Sequence, residues 1–305
     1  MTLRYDQSIW WQQNLVRTRL NPKTWLVKTR RKASIWHLTL TKLDGGAPLV
    51  LDLGGLEGDA TLNIKFQGAP GTILVQLNAK RQLNLTSKLA VAPDSKLKVL
   101  VAISSNVTWA KEVAVASNSI LSWHQLAAVP RDKACQTLDQ MKVKLAGANS
   151  SFEATIGQRL SGTNHSAVRD WCIVHAAANT SSRFLVKNVL ANHASAHEKC
   201  LVKVLKNSID AKTSVYSHAL LLDDSAKIVA APELEVYHQD VDCQHGATSG
   251  SLDALSTLYL ASRGITLTKI KQLLLDGFLQ PMLAPWAASA PPKLKSKAKR
   301  LILNH

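Results

Sequence analysis

From about Ser34 to about Val241 the chain is a succession of short β-favouring runs with no long helical period between them. Ile35–Leu40, Leu49–Leu53, Thr61–Phe66, Thr72–Leu77, Gln82–Leu85, Lys96–Ile103 and Val113–Val115 are rich in β-branched and aliphatic residues. Apolar and polar residues alternate strictly in Thr61-Leu62-Asn63-Ile64-Lys65-Phe66 and in Gln82-Leu83-Asn84-Leu85-Thr86, the period of a strand with one face inward. Gly54-Gly55, Gly68, Pro70-Gly71, Asp94-Ser95 and Ser104-Ser105-Asn106 punctuate the runs at intervals of about ten residues. The pattern fits a sandwich, a barrel or a solenoid. Its persistence for some 200 residues, in runs that mix apolar and polar positions, favours the solenoid over a sheet covered by helices on both faces.

After Gly250 the period becomes 3.6. Leu252, Leu255, Leu258 and Tyr259 recur at helical spacing, and Gly264 stands where a helix commonly ends. A second helix is expected from Thr266 or Thr268, with Ile270, Leu273, Leu274, Gly277 and Phe278 on one face and Pro281 as its stop. Pro285, Pro291 and Pro292 lead into a basic tail expected to be mobile. The domains are therefore an irregular or short helical lead-in over 1–34, a β core over 35–246, a helical hairpin over 247–284 and a tail over 285–305. The apolar face of the hairpin serves equally for packing on the β core and for docking a partner.

The 305 residues carry 37 Lys+Arg against 21 Asp+Glu, a net charge of +16. Arg17, Arg19, Lys23, Lys28, Arg30, Arg31 and Lys32 lie in one arm, and Lys293, Lys295, Lys297, Lys299 and Arg300 in another. Without these twelve, 25 basic residues face 21 acidic ones, so the body is nearly neutral. Such arms can bind nucleic acid or an anionic surface, with Trp10, Trp11 and Trp25 available to stack. No helix-turn-helix pattern, zinc-finger spacing or aromatic sheet signature accompanies them, which makes nucleic acid the weaker partner. No apolar run reaches the roughly 18 residues of a membrane span, and no apolar signal core follows the first basic residues, so a cytoplasmic protein is expected.

The segment PELEVYHQDVDCQHGATSGSLDALSTLYLASRGI, residues 232–265, resembles the SufB/SufD family of iron–sulfur cluster assembly proteins. The matching positions are Leu234-Glu235, Tyr237, Asp240-Val241, Cys243, His245-Gly246-Ala247-Thr248, Gly250, Leu252-Asp253, Tyr259-Leu260 and Ser262-Arg263-Gly264-Ile265. Upstream, Leu220–Ala226 is similar to the family's LLLSDDA. Val174-His175 and Asn179-Thr180-Ser181-Ser182-Arg183, with Lys187 and Val189-Leu190, are similar to its VHxAPNTSSR…KGVL. The HGAT form resembles the SufD branch. His238-Gln239 and Asn188 depart from the family pattern, and the first 160 residues carry no alignable motif. The resemblance implies a right-handed parallel β-helix, or β-solenoid, with a small C-terminal α-helical domain.

It further implies a scaffold without its own nucleotide-hydrolysis motif. That scaffold pairs with a SufB-like β-helix chain and docks a SufC-like ABC-type ATPase through Leu252, Leu255, Leu258, Tyr259, Arg263, Ile270 and Leu274. A homodimer is the alternative assembly. The chain itself contains no P-loop, GxGxxG or GxSxG element.

Cys243 and His245, two residues apart, share one strand face at about 7 Å. Thiolate and imidazole are donors suited to iron, and the resemblance places His245 at the cluster-assembly interface. Transient iron or a nascent cluster is the expected cargo there, with no tightly bound cofactor. Packing at a strand-to-helix corner is the competing role. Cys135, Cys172 and Cys200, separated from the next cysteine by 37, 28 and 43 residues, read as inert buried thiols. His193 and His197 would stand about 13 Å apart on a strand and cannot share a metal. Asp223, Asp224, Asp240 and Asp242 are the acidic concentration a glycoside hydrolase would need, but aromatic platforms are sparse in the β region.

Overall fold

A computed structural model describes residues 34–43, 48–53, 56, 58–79, 81–128 and 136–303, and the backbone alone at 9–13, 16–20, 25–32 and 135. The chain coils into a β-solenoid of about seven turns, with helices at its carboxyl end. The amino-terminal strands are β1 (Ile9–Gln13), β2 (Val16–Leu20) and β3 (Trp25–Lys32). The coil then begins with β4 (Ile35–Lys42), β5 (Leu49–Asp52), β6 (Gly58–Gly68), β7 (Gly71–Leu77), β8 (Leu83–Val91) and β9 (Lys96–Ile103). It widens through β10 (Val107–Val115), β11 (Ile120–Ala128), β12 (Cys135–Leu145), β13 (Ser151–Ser161) and β14 (His165–His175). It ends with β15 (Ser181–Ala191), β16 (Ser195–Val204), β17 (Ala211–Leu221), β18 (Lys227–Val236) and β19 (Val241–Gly250). From β4 onward even strands stack in one sheet and odd strands in the other, every neighbouring pair being parallel.

The in-register step changes along the coil. Gly58 lies beside Leu83 and Leu83 beside Val107, steps of 25 and 24 residues. Thr108 then lies beside Leu138 and Ile120 beside Ser151, steps of 30 and 31. At one corner of successive turns a left-handed residue reverses the chain: Asp94, Asn118, Asn149, Asn179 and Asp210 have φ of 54–58°. Asn and Asp tolerate this region better than other residues with a Cβ. Four of them precede a buried hydroxyl residue: Ser95, Ser119, Ser150 and Thr180. Side-chain bonds tie successive corners, from Asn118 to Asp94 at 3.0 Å and from Asn149 to Asn118 at 2.9 Å.

Inward residues of both sheets form one apolar core, from Trp36 and Leu40 to Val204 and Val215. Within it runs a line of buried charge. Trp109, Asp139, Arg169 and Glu198 occupy in-register inward positions of β10, β12, β14 and β16. Lys111 ion-pairs with Asp139, which also accepts from Gln125 at 2.7 Å and Trp171 at 3.1 Å. Arg169 ion-pairs with Glu198 and donates to Gln158 at 2.9 Å, and Ser217 donates to Glu198 at 2.7 Å. Burial alone would raise the Asp139 carboxyl, but the flanking Lys111 and Arg169 charges hold it below the usual range.

Three structural findings depart from the sequence expectations. The lead-in over 1–34 contains strands: β3 pairs antiparallel with β4, β2 with β5, and β1 with β2. The edge of the first turn supplies a template that the charged local composition hides; the side chains of Trp10, Trp11, Trp25 and the basic arm lie outside the described residues. The β coil also runs past 246 to Gly250. The carboxyl end forms three helices, α1 (Ala254–Ser262), α2 (Leu267–Ser289) and α3 (Pro292–Leu303).

Pro281 does not stop α2, which continues through it and Pro285. Proline inside a helix costs roughly 3 kcal/mol. Leu275, Leu279, Met282, Leu283 and Trp286 are buried against the odd-strand sheet, each worth roughly 1.5–3 kcal/mol. The seated face therefore wins, and it is rotated from the expected one, leaving Leu273 exposed. Gly157 on β13 makes room: a Cβ there would lie 3.0 Å from Leu126 and 3.1 Å from Met282. The basic tail is α3, docked through Ala298, Ile302 and Leu303, with Lys297 bonded to Gln76 at 2.8 Å. Among the described residues no helix is long and apolar enough to cross a membrane.

Two outcomes follow from the buried polar groups. Asp139→Leu leaves Lys111 and Arg169 without their shared partner and costs about 3–5 kcal/mol in chemical denaturation, whereas Glu112→Gln on the solvent side changes stability by under about 1 kcal/mol. His124, bonded to Thr155 at 2.8 Å, and His175 are each held at a pKa of about 4 by burial, below the ordinary 6.5. The unfolded chain thus binds more protons between these values. Stability is full above pH 6.5 and falls as pH drops towards 4, by up to about 3 kcal/mol for each histidine. Melting curves across that range measure the loss, and His124→Gln flattens it; an unchanged slope contradicts the assignment.

Candidate functional site

The solenoid ends at β18 and β19, and among the described residues no further turn is stacked upon them. Inward positions that are sealed in earlier turns are here partly open: Leu234, Val241 and Cys243 still pack on the core, while His245 is exposed. Cys243 and His245 sit in register beside Thr213 and Val215 of β17, both buried inward residues. The sequence expectation that the two share a strand face is met, and that face is the inner one at the uncapped end. One layer beneath lie Cys200 and Glu198, so the line of buried charge stops just short of the opening.

His245 Nδ1 lies 3.0 Å from the Pro232 carbonyl oxygen of β18. A carbonyl only accepts, so Nδ1 donates this bond and Nε2 is the ring nitrogen left to serve as a metal donor atom. Burial, and then the neighbouring Asp242 charge, push the Cys243 thiol up, so without a metal it is held as the thiol. Gly246 follows because the Tyr216 ring lies 3.2 Å from where its Cβ would be. Among the described residues no group of three or more His, Cys, Asp and Glu side chains is arranged to hold a metal ion.

The helices beside this end expose the other expected residues. Asp253 caps α1, accepting from Ser256 N at 2.8 Å and Leu255 N at 3.4 Å. Gly264, at φ 79°, closes it as expected. Leu255, Leu258 and Tyr259 are 77%, 68% and 58% exposed, and the Arg263 guanidinium lies 5.3 Å from the Tyr259 ring. Leu267, which the sequence reading did not name, and Leu273, which it placed on the apolar face of the second helix, add to it. Leu252 and Leu274 are half-buried, and Ile270 is fully buried, an anchor rather than part of the exposed face. A groove of about 770 Å³ runs between α1 and the corner Leu221–Ala226, with Leu252 and Leu258 on its wall.

Several motif residues turn out to build corners. His175 bonds Thr180 at 2.8 Å and Ser182 at 2.9 Å, stapling the end of β14 to the start of β15. Asp223 accepts from Asn192 N at 2.7 Å and Ser225 N at 3.0 Å, so its carboxylate is spent on a turn. Lys187 donates to the Phe278 carbonyl at 2.8 Å and holds α2 on the coil. Cys200 is buried and inward as expected, but Cys172 is only half-buried; the Cys135 side chain lies outside the described residues. His193 sits in a left-handed corner and His197 on β16, so they form no helical pair.

The family described as SUF system FeS cluster assembly, SufBD core domain, matches residues 68–278. The iron-sulfur cluster assembly protein SufD of Escherichia coli is 32% identical over 110 residues, 36% of this chain and 26% of that protein. A SufBD family protein of Mycobacterium bovis is 29% identical over 130 residues, 43% of this chain and 15% of the relative. One from Staphylococcus haemolyticus is 25% identical over 109 residues, 36% and 23% respectively. The matched segments are thus a minor share of each relative's own length. With most of its coil and the start of α2 inside the family match, the chain belongs to the SufBD core family of the SUF iron–sulfur cluster assembly system.

Proposed function

We propose that the chain is a SufD-like scaffold subunit that pairs with a SufB-like β-helix chain and docks a SufC-like ATPase, without hydrolysing nucleotide itself. The observation that carries this reading is the uncapped last turn, where His245 and Cys243 face inward beside two free sheet edges. A free edge is a template for a second chain's strands. Two donors do not complete a coordination shell for iron, so a nascent cluster held here as cargo takes its remaining ligands from the paired chain. The exposed leucines of α1 and α2 form the apolar patch that an ATPase would cover. Closure of the ATPase would then pull on α1 and loosen the paired edges around the cargo.

Affinity capture from the host lysate at moderate salt is expected to recover a P-loop ATPase and a second β-helix chain. Recovery of nucleic acid alone, lost at high salt, overturns the scaffold reading. Leu258→Asp is expected to abolish recovery of the ATPase, since a buried unpaired charge costs several kcal/mol, while the second β-helix chain is retained. His245→Ala is expected to leave the assembly intact by size-exclusion chromatography and to lower cluster yield, followed by visible absorbance, by roughly tenfold or more. Equal yield would remove His245 from the site.

A further inference from the structure

The even-strand sheet carries its outward residues in straight rows across the coil, and the helices pack on the opposite sheet. One row reads Asn63, Lys88, Glu112, Lys142 and the next Lys65, Ala90, Ala114, Lys144, on β6, β8, β10 and β12. The alanines leave a trough between the Lys65 and Lys144 side chains. Three strand spacings separate those lysines, about 14 Å, the width for one extended chain. The trough has a volume of about 570 Å³ and reaches His37 at its amino-terminal side.

Its charge is uncompensated. Lys65, Lys88, Lys142 and Lys144 face Glu112 alone, and Glu112 already pairs with Lys88 at 2.7 Å. Further along the same face the charges cancel: Lys199 pairs with Glu233 at 3.1 Å and Lys203 with Glu235 at 2.8 Å. Among its described residues, in a body close to neutrality, this trough therefore holds a local excess of three positive charges. Among the described residues its lining contains no Phe, Tyr or Trp on which bases could stack, and no arginine to fork a phosphate. Same-face side chains of an extended polypeptide repeat every 7 Å or so, the spacing of Lys142 to Lys144 along β12.

We infer that this trough docks an acidic, extended polypeptide segment of a partner protein, with carboxylates at alternate positions set between Lys65 and Lys144. The site is on the sheet face, away from the open end and from α1, and it stands independently of the assembly reading. The lysines act as separate point charges, so binding is salt-sensitive and fast rather than tight.

Fluorescence anisotropy of the full chain with a labelled twelve-residue peptide of alternating Glu and Ser tests this, with a Gln-for-Glu peptide and a twelve-residue oligothymidylate as comparisons. At low salt the Glu peptide is expected to bind and both comparisons to bind at least about tenfold more weakly. Lys65→Glu with Lys144→Glu is expected to weaken the Glu peptide by roughly tenfold or more, whereas Lys199→Glu with Lys203→Glu leaves it within about twofold. All four positions are solvent-exposed or nearly so, and circular dichroism verifies that both variants fold. Tighter binding of the oligothymidylate, equal binding by the two double variants, or no binding of the Glu peptide at low salt each overturns the inference.

Discussion

Stacking of each turn's inward residues upon those of the turn before is the interaction from which the rest of this molecule follows. A parallel coil has no hairpins to set its register, and a slip of one residue would turn every inward side chain out. The left-handed Asn and Asp residues at one corner of successive turns, with Asn118 bonded to Asp94 and Asn149 to Asn118, hold that register. The ion pairs of the interior add to the same constraint. Arg169 can meet Glu198 and lie by Asp139 only when three turns are aligned. Buried charge of this kind adds little net stability, but its cost when misaligned is high, which makes it a device for specificity.

The strand texture was legible because inward and outward residues alternate so strictly in runs such as Thr61–Phe66. The interior charges were legible in principle by the same parity. Lys111 stands in step with Val113 and Val115, and Arg169 with Trp171 and Ile173, so both had to face the core. A reader of composition sees only ordinary charged residues there. The repeat of the corners was also present, as Asn or Asp before Ser or Thr at Asp94, Asn118, Asn149 and Asn179, but unequal turn lengths blur its period. The amino-terminal strands and α3 could not be read locally. The first are recruited by the edges of β4 and β5, and the second is held by a sheet far away in sequence.

The candidate site shows the same division. Spacing alone placed Cys243 and His245 on one face, and the family motif singled them out. Neither could say that the face is the inner one at an uncapped end, because that depends on where the coil stops. Conversely, His175, Asp223 and Lys187 look chemical in the motif and are structural in the fold, each spent on a corner or on the seat of α2. Ile270 is a similar case: the helical period puts it among the exposed leucines, and packing takes it out of reach.

The change of step at β10 means that the turns are not interchangeable parts. The narrow turns enclose a mainly apolar interior, with Trp36 and Phe66 among its aliphatic side chains, whereas the wide turns also hold Trp171 tilted against Phe184 and an arginine with its partners. The row of in-register buried charge, Asp139, Arg169 and Glu198, lies in the wide turns and runs towards the open end. Inserting a copy of a narrow turn among the wide ones would compress that interior and sever the row of alternating charges. Growth of such a chain by duplication is therefore confined to whichever half the duplicated turn came from, and the two halves are free to diverge in length independently.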